Sequence, residues 1–116
     1  MVGNTNSMKL TSEQINDAIV TALEGGINYW CDRARIHSGY VNDVMPNEYL
    51  SDVFTRGIPI ILEVDAEEYT LSSSMLNVSY SKYLSEIGRV YDPNNADAVD
   101  ADCLVQLAIF GDVKYG

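Results

Sequence analysis

The stretch Asp100-Ala-Asp-Cys-Leu-Val-Gln-Leu-Ala-Ile-Phe-Gly-Asp-Val-Lys-Tyr-Gly116 is the most apolar and most strongly patterned part of the chain. It predicts a short buried helix, because Asp100 can cap its start and Gly111 can adopt the left-handed conformation that ends a helix. Val113 and Tyr115 alternate beyond the helix and predict a terminal strand or hook. Such a strand would leave a free edge through which two copies could pair, so a homodimer is one expected arrangement.

Working outward, the amino-terminal third predicts another well-marked helix. Residues 1–9 are polar and predict a loose lead-in. Thr11 and Gln14 have the spacing of a capping box, and apolar residues then recur at helical spacing as far as Gly25-Gly26. The segment from Ile27 to Ile36 is rich in aromatic and β-branched residues and predicts a strand.

The middle of the chain alternates further helix and strand signals. A helix is predicted from Pro46 to Gly57, a hairpin over residues 58–71 with its turn at 65–68, and a helix over about 76–89. The sequence therefore predicts one α+β domain over residues 1–116, with three to four helices packed on a small, mostly antiparallel sheet. The predicted core consists of Ile15, Ile19, Ala22, Leu23, Trp30, Val53, Phe54, Ile60, Leu62, Leu84, Ile87, Leu104, Val105, Ala108 and Phe110.

The charge of the chain is its least ordinary property. The sequence has 17 Asp and Glu residues against 7 Lys and Arg, which gives a net charge of -10. A surface this negative repels phosphates, so we expect no direct binding of nucleic acid and no binding to a membrane. The same charge favours binding to a partner protein whose basic groove normally holds nucleic acid. A role of the charge in solubility alone is the alternative.

Three acidic groups are candidates for contact with a basic partner. Eight carboxylates are the predicted contacts with this partner. They belong to two of the groups, the hairpin and the segment before the last helix, and would resemble an array of phosphates. They are Glu63, Asp65, Glu67, Glu68, Asp92, Asp97, Asp100 and Asp102. The third group is Asp43, Glu48 and Asp52. The tyrosines at 80, 83 and 91 are either exposed contact residues or core residues, and the sequence leaves both open.

No pattern in the sequence indicates catalysis, a cofactor or a metal. His37 is the single histidine, and the acidic loop from Asp92 lacks the glycine and the glutamate of a calcium-binding loop. We therefore predict no catalytic residues, no cofactor, no metal site and no enzymatic activity. An alternative site combines Trp30, Cys31, Arg33 and Arg35 in a pocket for an anionic small molecule, within a homo-oligomeric accessory protein.

Two patterns carry a resemblance to other proteins. One is Ala101-Asp102, Val105-Gln106, Ala108, Phe110-Gly111 and Tyr115-Gly116, and the other is Gly25-Gly26-Ile27-Asn28-Tyr29-Trp30-Cys31. Together they resemble a group of small proteins, without an agreed activity, that phages and mobile elements of gut and soil Firmicutes encode. The middle of the chain has no counterpart in this resemblance.

The resemblance implies a genomic setting and not a chemistry. Small phage proteins include inhibitors of host defence, among them anti-CRISPR proteins. The expectation is a non-enzymatic acidic protein in the cytoplasm of a bacterial host, which inhibits a basic nucleic-acid-binding defence protein such as a CRISPR effector by occupying its groove.

Overall fold

The structure is a computed structural model that describes residues 9–116. Most of the predicted lead-in therefore lies outside the described residues. The elements in chain order are α1 Ser12–Thr21, a π-helical turn Ala22–Gly26, β1 Arg33–Ile36, a 3-10 helix Ser38–Asp43, α2 Leu50–Thr55, β2 Ile60–Val64, β3 Glu67–Leu71, α3 Ser73–Ile87 and α4 Ala98–Phe110. This arrangement confirms the predicted α+β fold.

The first helix begins as its sequence predicts. The Thr11 hydroxyl accepts from the Gln14 N–H at 3.1 Å, and the Gln14 side chain accepts from the Thr11 N–H at 2.8 Å. This capping box satisfies two of the backbone donors that the first turn of a helix leaves free. The helix then widens into the π-helical turn, which ends at Gly26.

The predicted strand from Ile27 is wrong in its first half. The N–H groups of Trp30 and Cys31 both donate to the Ile27 carbonyl, at 3.1 and 2.8 Å, so residues 27–30 form a turn. The turn buries the side chains of Ile27, Trp30 and Cys31 in the same core. An extended strand would direct Trp30 and Cys31 to opposite faces, because successive side chains alternate in direction. Only Arg33–Ile36 joins the sheet.

The sheet has three antiparallel strands in the order β1-β2-β3. The β2–β3 connection is a two-residue turn at Asp65 and Ala66, with φ of 50° and 69°, shorter than the predicted turn over 65–68. Helices α2 and α4 contact the sheet edges from one side, and Ile60, Leu62 and Val64 point into that core. The opposite, outer face carries charged residues, so the helices cover one face of the sheet.

The last helix is longer and differently capped than predicted. Asp97, not Asp100, is the N-cap, and Asp100 sits three residues later as its capping-box partner. Gly111 ends the helix at φ 75°, as predicted. Of the two alternatives predicted for the chain end, the strand is wrong, since residues 113–116 pair with no strand of the described sheet. Helix α2 likewise begins at Leu50 and not at Pro46, which lies in a preceding turn.

The core contains most of the predicted residues and is larger than predicted. Of the predicted core, Leu23, Leu84, Ile87, Ala108 and Phe110 are only partly buried and the other members are buried. Tyr80, Tyr83 and Tyr91 are also fully buried, which makes them core residues. The Tyr80 hydroxyl accepts from the Tyr91 N–H at 3.0 Å, and the Tyr91 hydroxyl donates to Asp17 at 2.8 Å.

Candidate functional site

On the outer face of the sheet, the two arginines of the predicted anion pocket lie next to carboxylates predicted to contact a basic partner. Arg33 faces Glu63 across β1 and β2, and Glu63 faces Glu68 across β2 and β3. The Arg35 guanidinium donates to Glu63 at 2.8 Å and to Glu68 at 2.6 Å. It thereby offsets the repulsion between two glutamates that are direct cross-strand neighbours. Arg35 is therefore an internal counter-ion of the acidic group.

The remaining acidic residues of this group surround the β2–β3 turn. The backbone N–H of Asp65 donates to the Asp32 carboxylate at 3.1 Å, and Glu67 and Glu68 are exposed at the start of β3. We name this surface the hairpin end, and it consists of Asp32, Glu63, Asp65, Glu67 and Glu68. These five carboxylates outnumber the two nearby guanidinium groups, so the hairpin end is negative.

The second predicted acidic group is turned toward the backbone. The Asp97 carboxylate accepts from the N–H groups of Val99 and Asp100, at 3.0 and 3.1 Å. The Asp92 side chain accepts from Asn94 and Asn95 in the preceding loop. Asp100 is only 4% exposed and pairs with Arg89 at 2.6 Å. Capping and pairing thus occupy these three carboxylates, because the start of a helix leaves backbone donors free.

Asp102 is 6% exposed and belongs to the interior. It accepts hydrogen bonds from the Trp30 indole at 2.7 Å, from the Gln106 amide at 2.7 Å and from the Tyr29 hydroxyl. Burial of the Tyr29 hydroxyl, together with its hydrogen bond to Asp102, raises the pKa of Tyr29 to about 12. Asp100 and Asp102 are therefore largely buried, and neither belongs to an exposed acidic surface.

The same network holds the end of the chain in place. The side-chain amide oxygen of Gln106 accepts from the backbone N–H groups of Lys114 and Tyr115, at 2.7 and 2.9 Å. The Tyr115 ring stacks on Trp30 with centroids 5.6 Å apart and an interplanar angle of 4°. Buried side-chain hydrogen bonds thus take the place of the predicted strand ladder for residues 113–116.

The alternative pocket is brought together only in part. Cys31 and Arg33 line a cavity of about 340 Å³ with Asp32 and Leu50. Trp30 is instead buried against Tyr115 and Asp102, and Arg35 is held by Glu63 and Glu68. Burial raises the pKa of the Cys31 thiol, which disfavours the reactive thiolate.

One exposed feature has no strong signal in the sequence. The segment 40–49 follows β1 at the sheet end opposite the hairpin end, and four of its apolar side chains are exposed. They are Tyr40, Val41, Met45 and Tyr49, of which Tyr49 is 76% exposed. Val41, Met45 and Tyr49 are four residues apart, as on one face of a helix, but Pro46 interrupts the segment and no α-helix spans it. The third acidic group, with Asp43 and Glu48, lies in the same segment and its continuation.

Side-chain contacts fix this segment in place. Arg56 pairs with the Glu48 carboxylate and donates to the Asp43 carbonyl at 2.7 Å. The Glu48 carboxylate also accepts from the Met45 N–H at 2.8 Å. The hydrogen bonds from Met45 and from Arg56 lower the pKa of Glu48. Ordered, exposed Tyr and Met side chains are typical of protein interfaces.

Within residues 9–116, no group of three or more His, Cys, Asp or Glu side chains is arranged to hold a metal ion. None of the helices in the same range combines the length and the apolar content needed to cross a bilayer. No family model, no curated protein and no solved structure matches the chain.

Proposed function

We propose that the protein is a non-enzymatic inhibitor that binds the basic groove of a nucleic-acid-binding host defence protein, of which a CRISPR effector is one example. The hairpin end carries this proposal. Glu63, Asp65, Glu67 and Glu68 stand on two paired strands and their two-residue turn, so the backbone that carries them is fixed before binding. Preformed charge lowers the entropy lost on association and accelerates encounter with a partner of opposite charge.

Burial excludes Asp100 and Asp102 from this surface, and Asp100 also pairs with Arg89. Capping of α4 by Asp97 and the loop hydrogen bonds of Asp92 leave these two residues a minor role. The proposed contact is therefore narrower than the eight predicted carboxylates. It consists of Glu63, Asp65, Glu67 and Glu68, with Asp32 added by the structure.

The segment 40–49 supports a protein partner over a purely electrostatic one. Interfaces are enriched in Tyr and Met, and such residues commonly contribute most of the binding energy. Tyr49 and Met45 are 76% and 70% exposed on a segment that Arg56 holds in place. Because this segment lies at the far end of the sheet, it would contact a different part of the partner than the hairpin end does.

The test is capture from a bacterial host lysate at low and at raised salt, with mass spectrometry of the retained proteins. We expect a basic nucleic-acid-binding protein that is released at raised salt and displaced by added nucleic acid, because salt screens exposed charges over about 10 Å at 0.1 M. The double variant Glu67→Gln, Glu68→Gln should lose the capture. The control Glu13→Gln, Glu24→Gln removes the same charge from other exposed positions and should keep it. Retention by the first variant, or binding that salt does not change, would sink the groove mechanism.

A second candidate function is binding of an anionic small molecule in the cavity of Cys31 and Arg33, within a homo-oligomeric accessory protein. Arg33 lines this cavity and forms no ion pair among the described residues, which favours an anionic ligand there. Replacing Arg33 with Ala should abolish ligand binding while the protein stays folded, and unchanged binding would dismiss this candidate.

A further inference from the structure

A separate cavity of about 440 Å³ opens beside the Asp102 network. The π-helical turn, the first residues of α4 and the end of the chain form its walls, with Gly26, Val99 and Val113 among the lining residues. A Cβ on Gly26 would lie 3.1 Å from the Ala98 carbonyl oxygen, so glycine allows the turn to approach α4 this closely. The volume lies within the range of small-molecule sites, roughly 300 to 1,000 Å³.

Asp102 lines this cavity and has no positive partner among residues 9–116. It is 6% exposed, and no Lys, Arg or His of residues 9–116 forms an ion pair with it. Residues 1–8 contain no Lys or Arg. Asp100, two residues earlier and equally buried, does have such a partner in Arg89. Because buried carboxylates are normally paired with a cation, the charge of Asp102 favours a positive group in the cavity.

The rest of the wall suits the body of an organic cation better than a bare ion. Tyr29 lines the cavity with a ring that its hydrogen bond to Asp102 fixes in place. An aromatic ring beside a carboxylate is a favourable setting for ammonium and guanidinium groups. Val99 and Val113 add apolar surface that would contact the carbon part of a ligand.

We propose that this cavity binds an ammonium or guanidinium group carried on a small apolar body, with Asp102 as its counter-ion. This site goes beyond the inhibitor function and does not depend on it. The cationic group can come from a free small molecule or from a Lys or Arg side chain of a partner protein. Both sources present the same chemistry to Asp102 and Tyr29.

The test compares cations with neutral analogues of the same shape by NMR titration. Phenylguanidine represents a free cation and N-acetyl-argininamide a protein side chain, and phenylurea and N-acetyl-citrullinamide are their neutral counterparts. We expect saturable shifts of the Gly26, Val99 and Val113 amides, with cations binding at least about tenfold more tightly than the neutral analogues. The tighter of the two cations then identifies the source.

A nearly isosteric variant tests the role of Asp102. In Asp102→Asn the amide oxygen can still accept from Trp30 and Gln106, and its nitrogen can donate to the Tyr29 hydroxyl. Cation binding should fall at least about tenfold. The control Asp100→Asn removes an equally buried carboxylate from the same helix and should leave cation binding unchanged.

A further variant covers the case in which Asp102→Asn does not fold. Val99 is 64% exposed at the cavity wall, so Val99→Phe narrows the cavity without changing the carboxylate, and it should also weaken cation binding. The proposal is overturned if no saturable shift occurs up to about 10 mM ligand, if the neutral analogues bind as well as the cations, or if Asp102→Asn binds as well as the natural sequence.

Discussion

The hairpin end and the segment Asp92–Asp102, which leads into α4, differ in the contacts that their carboxylates make. Both are rich in carboxylates, but they use them in opposite ways. In the hairpin, β2 and β3 pair with each other, and Glu67 and Glu68 are exposed side chains that bond to no backbone group of the described residues, Glu68 having Arg35 as its partner. At the start of α4 the backbone N–H groups have no partners within the helix, and Asp97 and Asp100 accept from them.

Local backbone structure therefore decides whether a carboxylate serves folding or remains free for a partner. Acidic composition alone does not separate the two cases. It follows that neutralising a residue of the α4 segment should change stability, and that neutralising the hairpin end should change binding. Four variants or conditions test this separation, beginning with the largest expected change.

Asp102→Ala should have the largest effect on stability. It leaves the Trp30 indole N–H and the Gln106 amide in the interior without their acceptor, and each buried unsatisfied group costs about 1–3 kcal/mol. We expect the free energy of unfolding to fall by about 3 kcal/mol, measured by urea denaturation. The matched control is Glu67→Ala at the hairpin end, which should change it by less than about 0.5 kcal/mol. Equal effects of the two variants would contradict the assignment of Asp102 to the core.

Asp97→Ala should have an intermediate effect. It removes the N-cap of α4, and the loss of such a cap costs about 1 kcal/mol. Asp97→Ser keeps an oxygen in the capping position and should restore most of the stability. The comparison of the two variants by thermal and urea unfolding distinguishes capping from general charge, since both remove the same carboxylate.

High pH should destabilise the fold through Tyr29. Its folded pKa of about 12 lies above the ordinary value of 10.0, so the fold favours the protonated hydroxyl. This contribution is complete below pH 10 and is lost as the pH rises through 12. The effect is modest because the ring is 59% exposed. NMR titration of the Tyr29 ring should show its pKa falling toward the ordinary value in Asp102→Asn, and an unchanged pKa would contradict the role of the Asp102 charge.

Arg35→Ala should have the smallest effect on stability. It removes the shared counter-ion of Glu63 and Glu68 at a surface where ion pairs contribute little. We expect a slight loss of stability at low salt that disappears at raised salt, because salt screens the two glutamates from each other. A large loss that salt does not change would indicate a packing role for Arg35 instead. Paired urea denaturation curves at two salt concentrations measure the difference.

The sequence predicts the fold class and most of the core because these depend on periodicity. Ile15 and Ile19 recur at helical spacing in α1, and β-branched residues are dense in β2. Glycines at 57, 88 and 111, all with positive φ, follow α2, α3 and α4. Such signals are local, so one sequence is sufficient to find them.

The errors lie where contacts between distant residues decide the structure. Asp102 meets Trp30 and Tyr29, more than 70 residues away, and no local pattern indicates a buried carboxylate there. Gln106 holds residues 114 and 115 by side-chain hydrogen bonds, so alternation in the tail did not mean a strand. Asp100 is the predicted cap of α4 and Asp97 the observed one, because both carboxylates precede the same apolar run.

The direct test neutralises one acidic group at a time and measures both capture of the partner and the free energy of unfolding. It shows which group contacts the partner and which stabilises the fold. The pairs are Glu67→Gln with Glu68→Gln, and Asp97→Asn with Asp100→Asn, each compared with the natural sequence. We expect the first pair to lose the salt-sensitive capture of a basic partner with its free energy of unfolding unchanged. The second pair should retain capture. Loss of capture by the second pair alone, while it stays folded, would contradict the proposal that the hairpin end binds the partner.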